Sequence, residues 1–97
     1  LSPYMANSGI GIEIQYYYKK LFFDELGFEN LFGYLLWGNT NAYQLSRFFG
    51  AIEDKIVEID GRKYVKMHTP ATEFRKLSGD KLINQFVRFN KQNPVKW

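Results

Sequence analysis

Apolar and polar residues alternate near the start of the chain. In Gly9-Ile10-Gly11-Ile12-Glu13-Ile14-Gln15-Tyr16, the residues Ile10, Ile12, Ile14 and Tyr16 fall on one face. A period of two predicts a strand, and the two glycines weigh against a helix. From about Tyr17 to Leu26 the pattern predicts a helix, stopped by Gly27. Its inner face would hold Tyr18, Leu21, Phe22 and Leu26. An earlier start would instead turn Tyr16, Lys19, Lys20 and Phe23 outward. Either way, at most two aromatics of the cluster are expected in solvent.

Glu29 to Trp37 is apolar nearly all round and reads as a buried helix ended by Gly38. Asn39-Thr40-Asn41 reads as a turn, with Thr40 or Asn41 as N-cap of a helix from Ala42 to Phe49. Gly50 closes that helix. Ile56-Val57-Glu58-Ile59 and Lys63-Tyr64-Val65-Lys66-Met67 flank Asp60-Gly61, a strong hairpin turn pair. A two-residue turn sets Glu58 opposite Lys63 and Ile56 opposite Val65, both favourable. Thr69-Pro70 reads as a cap and first turn of a helix to about Leu77. Ser78-Gly79-Asp80 breaks it, and Asp80 is expected to cap a last helix to Gln92, ended by Asn93-Pro94.

These elements predict a single α+β domain over residues 1–97. It is small and mainly helical, with an N-terminal strand and a β-hairpin that can pair with it. Residues 1–8 are expected to be disordered or an expression remnant; Leu1 to Tyr4 fit equally a remnant ahead of a natural start at Met5-Ala6-Asn7-Ser8 and a native segment. Ala42 to Ile52 resembles the first helix and turn of a helix-turn-helix, with small Ser46 four residues before Gly50. Its second helix would then be Glu53 to Ile59, carrying Glu53, Asp54 and Glu58 toward a phosphate backbone, which is the wrong sign. A winged-helix-like arrangement, with the hairpin as wing, accommodates both readings.

Composition narrows the functions. Aromatic residues make up 19% of the 97 positions, and bulky rings give a small domain much burial per residue. The chain holds no cysteine and one histidine, His68. That excludes disulfide scaffolds, thiolate zinc sites and multi-histidine metal centres, and it fits a cytoplasmic location. The apolar run Leu31 to Trp37 is too short to span a bilayer, so no membrane partner is expected. Ser8, Ser46 and Ser78 lie in no nucleophile elbow, the glycines form no phosphate loop, and His68 has no paired acid in sequence. A non-catalytic protein without cofactor or metal is expected.

Charge is divided unevenly. Residues 1–60 hold four cations against eight acids, a net −4, whereas residues 61–97 hold nine against two, a net +7. A basic end suggests an anionic partner. The last helix is the leading candidate surface. One side carries Leu82, Ile83, Phe86, Val87 and Phe89. The other carries Lys81, Asn84, Gln85, Arg88 and Lys91, the residue types that grip phosphates and read base edges. Arg75 and Lys76 from the preceding helix and Arg62, Lys63 and Lys66 from the hairpin would extend it. Lys96 and Trp97 add a charge and a ring at the end. The reading is a nucleic-acid-binding domain for DNA or RNA. The alternative is a small inhibitor or adaptor module, of the kind found in phages and plasmids, that binds an acidic protein; a large exposed apolar patch would favour it, or a homodimer.

Overall fold

A computed structural model describes residues 9–96 of the chain. The expectations for residues 1–8 and for Trp97 lie outside the described residues. The elements are α1 (Gly9–Lys20), continued by a π-helical turn (Leu21–Glu25), β1 (Asn30–Leu36), α2 (Thr40–Phe48), β2 (Ile52–Ile59), β3 (Arg62–Pro70), α3 (Ala71–Phe74) and α4 (Leu82–Gln92). The three strands form one antiparallel sheet in the order β1-β3-β2. The fold is α+β, as the sequence suggests, but two elements near the N-terminus exchange type.

The first exchange is α1, where the alternating stretch is a helix rather than a strand. The same residues satisfy a helical period. Ile12, Tyr16 and Phe23 recur at i, i+4 and i+11, and all three are buried. The inner face expected for this helix is inverted, because Tyr18, Leu21 and Leu26 are exposed. Of the ring cluster from Tyr16 to Phe23, Tyr17 and Tyr18 stand in solvent, which agrees with the limit of two. Lys19 and Lys20 occupy the last turn, where cations complement the helix dipole. The helix then widens: the Leu26 N–H donates to the Leu21 carbonyl at 3.1 Å, an i→i−5 bond. Gly27, at φ +73°, turns the chain away.

The second exchange is β1. The stretch expected as a buried helix runs instead along β3, from Asn30 opposite Pro70 to Leu36 opposite Tyr64. A short apolar run cannot be assigned by periodicity alone. Gly33 in its middle disfavours a helix, and the free edge of β3 offers the run a full ladder of hydrogen bonds.

α2 and the hairpin follow expectation closely. The cap of α2 falls one residue earlier than expected, with the Asn39 side chain accepting from the Ala42 N–H at 3.2 Å. Gly50 takes φ +101°, and a Cβ there would come within 3.0 Å of the Glu73 Cβ. Asp60 and Gly61 both have positive φ, as a type I′ turn requires. Glu58 faces Lys63 and Ile56 faces Val65. Glu53–Ile59, the second helix of a helix-turn-helix, is strand β2.

Thr69 and Pro70 end β3 rather than open a helix, and they pair with Leu31 and Asn30. Proline lacks an N–H and is tolerated at such a strand end. The expected eight-residue helix shrinks to the single turn of α3, whose Ala71 N–H donates to the Glu29 carbonyl at 2.8 Å. Asp80 does not cap α4. Lys81 precedes the helix in a left-handed conformation, φ +51°. The end of α4 at Asn93 is as expected, with the Asn93 N–H bonded to the Phe89 carbonyl at 2.8 Å.

The core joins the helices on one side of the sheet. Ile12, Tyr16, Phe23, Leu45, Phe48, Phe49, Ala71, Phe74 and Leu82 form it, and Leu31, Leu77, Phe86 and Phe89 pack against it. Phe74 is its hub: its ring lies 5.2 Å from Tyr16, 5.1 Å from Phe23 and 6.3 Å from Phe49. Phe48 ties α4 in, 5.4 Å from Phe86 and 5.8 Å from Phe89. Truncating a hub ring removes its burial and leaves a cavity, so Phe74→Ala should cost about 3–5 kcal/mol. Val87→Ala, on the exposed side of α4, should cost about 0.5 kcal/mol or less. Urea unfolding of both variants checks this, and equal losses would remove Phe74 from the centre of the account.

Candidate functional site

Strand alternation decides what each face of the sheet carries. In β3, Val65, Met67 and Thr69 are buried, while Tyr64, Lys66 and His68 are only half-buried. The second set therefore looks out on the face opposite the helices. Register brings Phe32 beside His68, Tyr34 beside Lys66 and Leu36 beside Tyr64 from β1. From β2 it brings Ile52 beside His68, Lys55 beside Lys66, Val57 beside Tyr64 and Ile59 beside Arg62. Among the described residues no helix covers this face: Phe32 is 69% and Tyr34 56% exposed, and Leu36, Ile52 and Ile59 are also exposed.

The result is an aromatic strip edged by cations. Phe32 and Tyr34 are two residues apart on one strand, so their rings project about 6.6 Å from one another. Lys55, Arg62 and Lys66 lie on the same face, and none is in an ion pair among the described residues. The acid of this face is Asp54, and it is already engaged. The pairing of β2 with β3 slips between Glu53 and Lys55, leaving Asp54 as the extra residue of a β-bulge. A bulge re-aims a side chain. Here the Asp54 carboxylate meets the His68 Nδ1 at 2.6 Å. That contact holds the imidazole with its ring 6.0 Å from the Phe32 ring.

The residues proposed from sequence do not converge on one surface. Arg62 and Lys66 belong to the open face. Lys63 points to the other face, opposite Glu58, with its amine 6.0 Å from the Trp37 ring. Arg75 is held by the Asp24 carboxylate at 3.3 Å and the Phe23 carbonyl at 3.2 Å. Lys76 is paired with Glu73 at 2.6 Å. Gln85 donates to the Ser78 and Asp80 carbonyls, so it braces the turn before α4. Lys81, Asn84, Arg88 and Lys91 form an exposed stripe along α4 at i, i+3, i+7 and i+10. Because α4 packs on α1 and α2 in the helical layer, this stripe and the open sheet face are separate surfaces.

The sequence reading missed Phe32, Tyr34, Tyr64, His68 and Lys55. The stretch Phe32-Gly33-Tyr34-Leu35-Leu36 is too apolar to show a period, and Gly33 was its one signal against a helix. Among the described residues, no group of three His, Asp or Glu side chains could hold a metal ion, and no helix is long and apolar enough to cross a membrane. No protein-family model, characterised protein or solved structure matches this chain.

One cation sits on the covered side. Lys19 of α1 is half-buried, its amine 5.0 Å from the centre of the Phe49 ring. Burial pushes the Lys19 ammonium below its ordinary value of 10.5. The unfolded chain then binds more protons than the folded one between that lowered value and 10.5. In this window stability rises with pH; below it, the cost of burying the charge is fully present. Lys19→Met, which fills the same space without charge, should therefore be more stable than the parent at pH 7. The gap should narrow as pH approaches 10.5. Denaturation midpoints of both proteins across that range check the sign, and a gap that widens with pH would contradict it.

Proposed function

We propose that this domain binds single-stranded nucleic acid on the open face of its sheet. The observation that carries the reading is the exposure of Phe32 and Tyr34 on a strand whose register neighbours are His68 and Lys66. Aromatic rings on a flat surface give bases a place to stack, and neighbouring lysine and arginine neutralise the phosphates. Lys55, Arg62 and Lys66 are placed to do so. The two-residue spacing of the rings suits successive bases of an extended strand.

Duplex recognition by a winged-helix-like arrangement has less support. It needs a reading helix beside the wing, and the segment that would supply one is strand β2. The α4 stripe retains the residue types for groove contact, but it is set apart from Arg62 and Lys66. The exposure of Leu36, Ile52 and Ile59 beside Phe32 and Tyr34 favours the second reading, a protein partner or a homodimer on the same face.

The test is fluorescence anisotropy with labelled single-stranded RNA, single-stranded DNA and duplex DNA at several salt concentrations. Three phosphate contacts on a single strand predict a slope of about −2 in log affinity against log salt, a loss of roughly 20-fold from about 50 to 200 mM. Phe32→Ala and Tyr34→Ala should each weaken binding by about 1–3 kcal/mol and leave the salt slope unchanged. Lys66→Gln should lower the slope by about 0.7. If Lys81→Ala with Arg88→Ala abolishes binding and the ring variants do not, the surface is α4 instead. Absence of binding at low salt overturns the proposal.

A further inference from the structure

Between α1 and the covered face of the sheet lies a cavity of about 120 Å³. A single water needs roughly 10–15 Å³ of such space, so the cavity holds several waters or one small ion. Lys19, Ser46 and Thr69 line it from three different elements, beside Leu31, Leu35 and Met67; its lining is as polar as it is apolar, and it is partly open to solvent. Gly33 leaves the space open: a Cβ built there meets nothing within 4 Å.

The amine of Lys19 makes no ion pair and no hydrogen bond among the described residues; its contact is the Phe49 ring. An ammonium in such a place is costly unless an anion accompanies it. Here the side chain borders a cavity that also offers two hydroxyls.

We propose that this cavity binds a small oxyanion, phosphate in size and charge, on the Lys19 ammonium, with Ser46 and Thr69 as further donors. The anion supplies a counter-charge and the hydroxyls orient it. A free phosphate and the terminal phosphate of a strand share this chemistry. The inference stands apart from base stacking on the opposite face.

The test is NMR of the full chain carrying side-chain-labelled lysine, titrated with inorganic phosphate and, separately, with a short oligonucleotide with and without a 5′-phosphate. The Lys19 resonances should shift saturably, and the melting midpoint should rise with ligand concentration. Both effects should vanish in Lys19→Met. They should also vanish in Gly33→Val, which keeps the amine and fills the space. A response to free phosphate identifies a small ion; a response confined to the 5′-phosphorylated strand identifies a strand end. No shift of Lys19 with either source, or a melting shift that survives in Lys19→Met, overturns the proposal. Should a variant fail to fold, the parent's Lys19 titration decides alone.

Discussion

The structure depends on β3 being paired on both sides. A central strand has no free hydrogen-bonding edge, so its two faces must do different work. Val65, Met67 and Thr69 go to the helical side and are buried. Tyr64, Lys66 and His68 are thereby committed to the other side, and register pulls Phe32, Tyr34, Lys55 and Val57 onto the same face. A slip of one residue would exchange the two sets and put Lys66 and His68 into the core. The type I′ turn at Asp60-Gly61 fixes that register on one edge. On the other, Trp37 closes the ladder by donating to the Lys63 carbonyl at 2.9 Å. The chemistry of the open face follows from the same constraint that seals the covered one.

The helical layer solves a different problem. Three short strands cannot bury enough surface by themselves, and the domain compensates with rings. Phe74 reaches the centre because Pro70 ends β3 and α3 turns at once. A longer helix at 70–77 would redirect it. Gly50 serves the same packing, since any side chain there would press on Glu73 and push α3 away. The π turn after Lys20 carries Phe23 into the ring cluster and lets the chain leave immediately afterwards. Backbone irregularities in this fold therefore sit where the core needs a ring delivered.

Much of this was legible in the sequence. Punctuation by Asp60-Gly61, Gly50 and Asn93-Pro94 located the hairpin and two helix ends correctly, because those signals act through local backbone geometry. Hydrophobic period failed where it was ambiguous. Ile12 and Tyr16 are four apart, which satisfies a helix face and a strand face equally, and Glu29 to Trp37 is too apolar to show any period. What settles both is non-local: the sheet has a vacancy beside β3 that the 30–36 segment fills, and the core needs a helix that delivers Tyr16 and Phe23. The candidate site was half legible for the same reason. Cations could be counted along the chain, and of those named Arg62 and Lys66 lie on the open face. The aromatic strip stayed hidden while its strand was taken for a helix, and Arg75, Lys76 and Gln85 could not be recognised as internally engaged.

The exposed rings also bear on the proposal that the open face is a surface for a partner rather than an unfinished core. Covering Phe32, Tyr34, Leu36 and Ile52 with another helix would add burial at little cost in chain length. The chain has an amphipathic helix to spare in α4, yet α4 packs on α1 and α2. Lys55, Arg62 and Lys66 explain the choice: a helix laid over them would bury three cations against the single carboxylate of Asp54, which is already bound to His68. Apolar area invites a cover, and the cations forbid a dry one. The proposed ligand, a single strand, would meet both conditions, because its bases are flat rings and its phosphates carry negative charge in an extended form.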